Sequence, residues 1–198
     1  LKFLLILLFF SFQAHAKELP RIDTKFYLGI YKSFDKFSAI ASSPDHALIY
    51  HTETDSEKRN LGYFLGYNFY LNNFFIGAET NFQENIGKDQ SIAGLNGSVT
   101  YEKMKEAKLK IGYNYDYFDF FIYLGGGDID TTWTAYHSDP SKINNYYTRG
   151  IGLDYKMTDN FFLGLNFDET TFDIFYTESR YLEEVHKRSL RLRFGYLF

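Results

Sequence analysis

Over most of the chain apolar and polar residues alternate one by one, the two-residue period of a strand whose faces meet different surroundings. The pattern is clearest near the C-terminus. There Leu190, Leu192, Phe194, Tyr196 and Phe198 share one parity, and Lys187, Ser189, Arg191, Arg193, Gly195 and Leu197 share the other. Ile151, Leu153, Tyr155 and Met157 likewise oppose Thr148, Gly150, Gly152, Asp154 and Lys156. Leu109, Ile111, Tyr113 and Tyr115 oppose Lys108, Lys110, Gly112 and Asn114, and Phe161, Leu163, Leu165 and Phe167 oppose Gly164, Asn166 and Asp168. The pattern predicts eight strands: about Lys25–Phe34, Arg59–Tyr70, Phe74–Phe82, Lys105–Tyr115, Phe120–Asp128, Tyr146–Lys156, Phe161–Phe172 and His186–Phe198.

The connections are sorted by length. Leu71–Asn73, Asp116–Asp119 and Met157–Asn160 are short, and Asp35–Lys58, Gln83–Met104, Ile129–Asn145 and Asp173–Val185 are long. Short and long alternate, so antiparallel strands place every long connection at one end and every short turn at the other. Barrels of bacterial outer membranes are built this way, with short periplasmic turns and longer extracellular loops. The three short-turn hairpins also repeat one another. Each runs from a glycine (Gly66, Gly112, Gly152) through an alternating strand and an Asn/Asp-containing turn to a Phe-Phe pair. Asn and Asp tolerate turn geometry and bond their own backbone.

The two faces differ in bulk as well as polarity. One is large and aromatic, the other charged and rich in glycine. Eight strands enclose a space only just wide enough for side chains. The bulky face would crowd that space, while glycine, asparagine and a few charges fit it. The expected arrangement therefore puts the apolar face outward, against lipid. Alternation alone also fits a soluble lipocalin-like barrel with the apolar face inside. Phe26, Phe69, Phe74, Tyr115, Phe120, Tyr155, Phe161, Tyr196 and Phe198 gather toward the short-turn end, where ring side chains form a girdle at a membrane interface.

Composition supports strands. The chain of 198 residues carries 18 tyrosines and 22 phenylalanines against 3 prolines, and it has no cysteine, which excludes disulfides and thiolate metal sites. A formal net charge of −4 argues against nucleic-acid binding. At the N-terminus Lys2 precedes an apolar run over residues 3–12, broken by Ser11, and then Ala14-His15-Ala16. This is the layout of a secretory signal peptide, expected over residues 1–16, with the mature domain over residues 17–198. The apolar run is too short to cross a bilayer as a helix.

The closing stretch, Leu190 to Phe198, resembles the assembly signal read by the outer-membrane barrel insertion machinery, with Leu192, Phe194, Tyr196 and Phe198 as its outward residues. Together with the hairpin repeats, it makes the chain resemble the small eight-stranded outer-membrane β-barrel family of OmpA-type, OmpX-type and opacity-like porin-family proteins. The resemblance implies an all-β, antiparallel, up-and-down transmembrane barrel in the bacterial outer membrane. It further implies a monomer, in contact with outer-membrane lipid and lipopolysaccharide, that meets host or surface ligands through its loops. The family's activities are diverse, so it does not choose among envelope support, adhesion and passage of small solutes.

Candidate chemistry sits in three places. Parity directs Glu79, Lys108, Lys110, Asp154, Asp168, Lys187, Arg191 and Arg193 into the lumen. Charges in so narrow a space need partners, so the plain reading is an ion-pair network that plugs the barrel. Five bases against three acids also suggest a weakly anion-preferring path. Arg59, Lys105, Arg149 and Arg188 have outward parity at the long-connection ends of descending strands, where a basic ring would meet lipid phosphates. The third place is the connections. His137-Ser138-Asp139, and His46 and His51 with Asp45, Asp55 and Glu57, match no strong catalytic or metal motif, and Gly125-Gly126-Gly127 lacks the lysine and helix of a phosphate loop. No enzymatic activity, cofactor or metal is expected.

Overall fold

A computed structural model describes residues 21–42, 49–55, 60–84, 86, 90–91, 98–134, 138–176 and 181–198. They form ten strands: β1 (Ile22–Ser42), β2 (Ile49–Asp55), β3 (Asn60–Leu71), β4 (Phe74–Glu84), β5 (Gln90–Ser91), β6 (Ser98–Tyr115), β7 (Phe118–Thr134), β8 (Ser138–Lys156), β9 (Phe161–Tyr176) and β10 (Tyr181–Leu197). Each pairs antiparallel with its neighbour in the order β10-β9-β8-β7-β6-β4-β3-β1, and β10 pairs with β1, so the sheet closes into an eight-stranded barrel. The two extra strands are continuations. β2 carries on above β3 along β1, and β5 carries on above β4 along β6.

The strands run further than the alternation of the sequence suggests. The segments read as long connections are largely strand: β1 continues to Ser42, β7 and β8 reach Thr134 and Ser138, and β9 and β10 reach Tyr176 and Tyr181. The reason is physical. Alternation of polarity marks where one face meets lipid. Ladder hydrogen bonds need no such contrast and continue where both faces meet water. Above the membrane level the ring parts: residues 138–145 pair with β7 and residues 173–176 with β10, with no β8–β9 pairing among these described residues.

The short turns follow the sequence closely. Asn72 and Asp116 have φ of 55° and 54°, the left-handed region that Asn and Asp enter most readily after glycine. In the β8–β9 turn the Thr158 hydroxyl accepts hydrogen bonds from the Asn160 and Phe161 amides.

Parity sorts the side chains as expected. Ile76, Leu109, Ile111, Ile122, Ile151, Leu165 and Leu192 are exposed on the outer wall, and polar residues of the opposite parity are buried. From Leu190 to Phe198 the apolar wall of β10 covers nine residues. At a strand's rise and barrel tilt this is roughly 23 Å of height, close to the apolar band of an outer-membrane barrel.

The lumen holds more than glycine and charge. Tyr27, Tyr31, Phe64, Phe75, Phe121, Tyr123 and Phe162 are buried in it. The expectation that bulk would be confined to the outer wall is corrected here. These rings fit because each lies across a glycine of the neighbouring strand, as in Tyr27↔Gly66, Tyr31↔Gly62, Phe75↔Gly112 and Phe162↔Gly195. A Cβ on Gly66 would overlap the Tyr27 phenol, and one on Gly112 would overlap the Phe75 ring. At the long-connection end Phe37, Tyr101, Met104, Ile129, Tyr146, Phe172 and Val185 form a buried apolar cluster, with Phe37 stacked on Tyr101 at 4.8 Å.

Candidate functional site: the lumen and the rim

The buried charges form four tiers down the barrel. In the uppermost, Asp35 of β1 accepts from Ser33, Ser189, Asn60 and Gln83, and lies 3.5 Å from the Lys187 ammonium. In the second, Glu106 Oε2 takes Arg191 Nη1 at 2.8 Å, Lys108 Nζ at 3.0 Å and Asn81 Nδ2 at 3.0 Å. Arg191 Nη2 reaches Asp168 at 3.2 Å, and the Tyr123 hydroxyl donates to the other oxygen of the same carboxylate. The Lys108 ammonium sits 4.3 Å above the Tyr123 ring, the ring face supplying part of its solvation.

The third tier centres on Glu79. Its Oε2 accepts from Arg193 Nη2 at 2.6 Å, Lys110 Nζ at 3.1 Å and the Tyr27 hydroxyl at 3.0 Å. Arg193 Nη1 also lies 3.6 Å from Asp154, and its guanidinium is 4.3 Å from the Phe64 ring centre. The lowest tier, at the short-turn mouth, joins Asp119 to Lys156 at 3.0 Å, to the Tyr70 hydroxyl at 2.8 Å and to Asn114 at 2.7 Å. Beyond it a polar vestibule of about 480 Å³ opens at the mouth, lined by Arg21, Asp23, Lys25, Asn72, Asn114 and Lys156 among others, and bounded inward by Tyr70 and Leu197.

All eight lumen residues singled out by parity are buried, and these tiers bring them together. Three acids were missed. Asp35 lies just past the predicted end of the first strand and Asp119 in a predicted turn. Glu106 has the inward parity of Lys108 and was the one legible from sequence. They change the balance. Six buried acids (Asp35, Glu79, Glu106, Asp119, Asp154, Asp168) face five buried bases, and the half-buried Lys156 is the sixth. The anion-preferring excess expected from five bases and three acids is therefore absent from the described residues.

On the outer wall Lys105, Arg149 and Arg188 are exposed at the upper edge of the apolar belt, and Arg59 lies outside the described residues. The ring is not purely basic. Asp128 pairs across the ladder from Lys105, and Glu169 lies between Arg149 and Arg188. At the opposite edge Leu192, Phe194 and Phe198 are exposed and Tyr196 is half-buried among rings, 5.0 Å from Phe161 and 4.8 Å from Phe198. Phe198 packs on Phe26 at 5.5 Å, and its amide donates to the Phe26 carbonyl across the β1–β10 seam.

The weaker candidates gain nothing. His137, His46, Asp45 and Glu57 lie outside the described residues, and Ser138, Asp139, His51 and Asp55 fall on strands β8 and β2. Gly125–Gly127 lies inside β7, and no helix follows it among the described residues. No group of three or more metal-binding side chains occurs among the described residues.

A closed eight-stranded barrel with a lipid-facing apolar wall and a polar, packed interior is the architecture of an outer-membrane protein. The model of the outer membrane protein β-barrel domain family matches residues 3–198, and the chain belongs to that family. It is a bacterial outer-membrane protein. Among solved structures, AlkL in lipid bilayers is 15% identical with a TM-score of 0.57, covering 92% of this chain and 94% of its own. The attachment invasion locus protein Ail of Yersinia pestis is 16% identical with a TM-score of 0.51, covering 88% and 97%. Ail is also known in complex with the heparin analogue sucrose octasulfate, at 14% identity and a TM-score of 0.52 over the same shares. At these identities the likeness is one of fold. No curated protein sequence matches the chain.

Proposed function

We propose that this chain is a non-enzymatic, monomeric barrel that acts through its extracellular surface, in envelope integrity or surface interaction, while its lumen is plugged by its own side chains. The observation that carries the reading is the set of four ion-pair tiers. Every buried acid in them has a basic or hydroxyl partner, and aromatic rings fill the space between and above. A solute would have to break pairs that no water could replace cheaply. The test is conductance of the purified protein in planar bilayers. No stable current steps are expected at physiological salt, and a reproducible ohmic step would favour a narrow channel instead. The Ail complex with a heparin analogue supports surface ligands as the class of partner.

In the same reading Leu192, Phe194, Tyr196 and Phe198 serve the barrel-assembly machinery before insertion and the seam afterwards. Phe198→Ala should lower the folded fraction in cells more than it slows refolding in detergent. Equal effects would leave only the seam role.

A further inference from the structure

Lys32 apart, the outward side chains change from apolar to charged at one level around the barrel, and the two halves of that level differ. On the β4–β7 side each base faces an acid directly: Lys105 pairs with Asp128, and Lys103 stands between Glu84 and Asp130. That half neutralises itself. On the other side Arg149, Glu169, Arg188 and Lys36 are consecutive partners across β8, β9, β10 and β1. Lys36 also faces Asp55 of β2, so within this row Arg149 and Arg188 share the single acid Glu169 over two strand spacings, roughly 10 Å.

The acid lies beneath its partners. Arg149 donates to Glu169 Oε2 through Nη2 at 2.7 Å and Nε at 3.3 Å, and Arg188 Nε lies 3.5 Å from Glu169 Oε1. The Glu169 side chain is 25% exposed, while the Arg149 and Arg188 side chains are 74% and 67% exposed. The carboxylate thus holds one edge of each guanidinium and leaves further N–H groups of both facing outward, the geometry suited to phosphate oxygens. One pair lower the same strands present Ile151, Phe167, Leu190 and Phe34, all exposed and apolar. Lower again Lys32 leans over the Phe34 ring, its ammonium 5.4 Å from the ring centre. Higher up, exposed Asp173 and Glu184 face each other, which confines the cationic zone to this band.

We infer that strands β8, β9, β10 and β1 carry a binding site for the phosphorylated headgroup of an outer-leaflet lipid, whose acyl chains lie along Phe167, Leu190 and Phe34. This replaces a ring around the whole barrel with one sector. It rests on the outer-membrane placement, with the long connections facing outward from the cell. The apolar wall directly under the bases points to a lipid rather than free phosphate, because a free ion would gain nothing from it.

The test is native mass spectrometry of the full protein in a neutral detergent, titrated with diphosphoryl lipid A. One tightly held lipid is expected. The double substitution Arg149→Gln/Arg188→Gln should weaken it at least tenfold, and Lys105→Gln on the self-neutralised side should leave it within twofold. Dephosphorylated lipid A should bind at least tenfold more weakly, and inorganic phosphate should not compete. Equal losses in the double variant and in Lys105→Gln, no loss in the double variant, or displacement by inorganic phosphate would each overturn the site. A heat-dependent gel shift shows that each variant is folded. Should the double variant fail that check, Arg149→Gln and Arg188→Gln singly carry the same comparison.

Discussion

The inner and outer faces of β10 are made from alternate residues of one segment, and they obey opposite rules. Lys187, Arg191 and Arg193 point into a space from which bulk water is largely excluded, and Leu190, Leu192 and Phe194 point into lipid. On the outer face side chains act nearly independently, because lipid is a uniform solvent and each leucine is stable by itself. On the inner face nothing is independent. Arg193 is acceptable only because Glu79 and Asp154 are within reach, and Glu79 only because Arg193, Lys110 and Tyr27 converge on its Oε2. Damage should therefore spread inside the barrel and stay local outside it.

The largest effect should come from breaking an interior tier. Arg193→Leu removes the shortest bond to Glu79 and should cost about 3–5 kcal/mol, the usual loss when one partner of a buried pair is deleted. Urea unfolding in lipid vesicles would measure it. A quadruple replacement of Glu79, Lys110, Arg193 and Asp154 by Met, Met, Leu and Asn should recover most of that loss, since Asp154, whose ion pair is with Arg193, is then neutral too and the tier keeps no uncompensated charge. A quadruple variant as unstable as the single one would show that shape, not charge, is what the tier supplies.

An outer-wall substitution of opposite kind comes next. Leu165→Arg places a charge near mid-height in the lipid-facing wall and should cost about 2–4 kcal/mol in the same assay. Unlike Arg193→Leu, its cost should add simply to that of a second outer-wall variant on the far side of the barrel. Gly66→Val tests the ring-over-glycine packing. The new side chain meets the Tyr27 phenol, and the expected overpacking cost is about 1–3 kcal/mol. Smallest of all should be Arg149→Gln at the exposed rim. Its pair with Glu169 is solvated, so stability should fall by no more than about 1 kcal/mol in thermal unfolding, whatever its effect on lipid binding.

Much of this arrangement was legible in the residues themselves. The inward set from Glu79 to Arg193 followed from parity, and the turn positions of Asn72 and Asp116 from the conformations those residues tolerate. Asp35 escaped notice because the polarity contrast of the first strand fades before its hydrogen bonding does. The lumen rings share the inward parity of Glu79 and Asp168, but how so narrow a space holds them shows only once the neighbouring strand sets a glycine across from each. The acids of the rim, Asp128 and Glu169, carry no local signal of their partners, and only the ladder sets them opposite Lys105 and between two arginines.

The sequence by itself determined which way each side chain points and which end of the barrel bears the short turns, because both depend on neighbours one or two residues away. Only the tertiary structure decided which charges meet. Arg191 finds Glu106 across 85 positions of chain and Arg193 finds Glu79 across 114, and those distances are set by strand register and barrel closure, which no local pattern encodes.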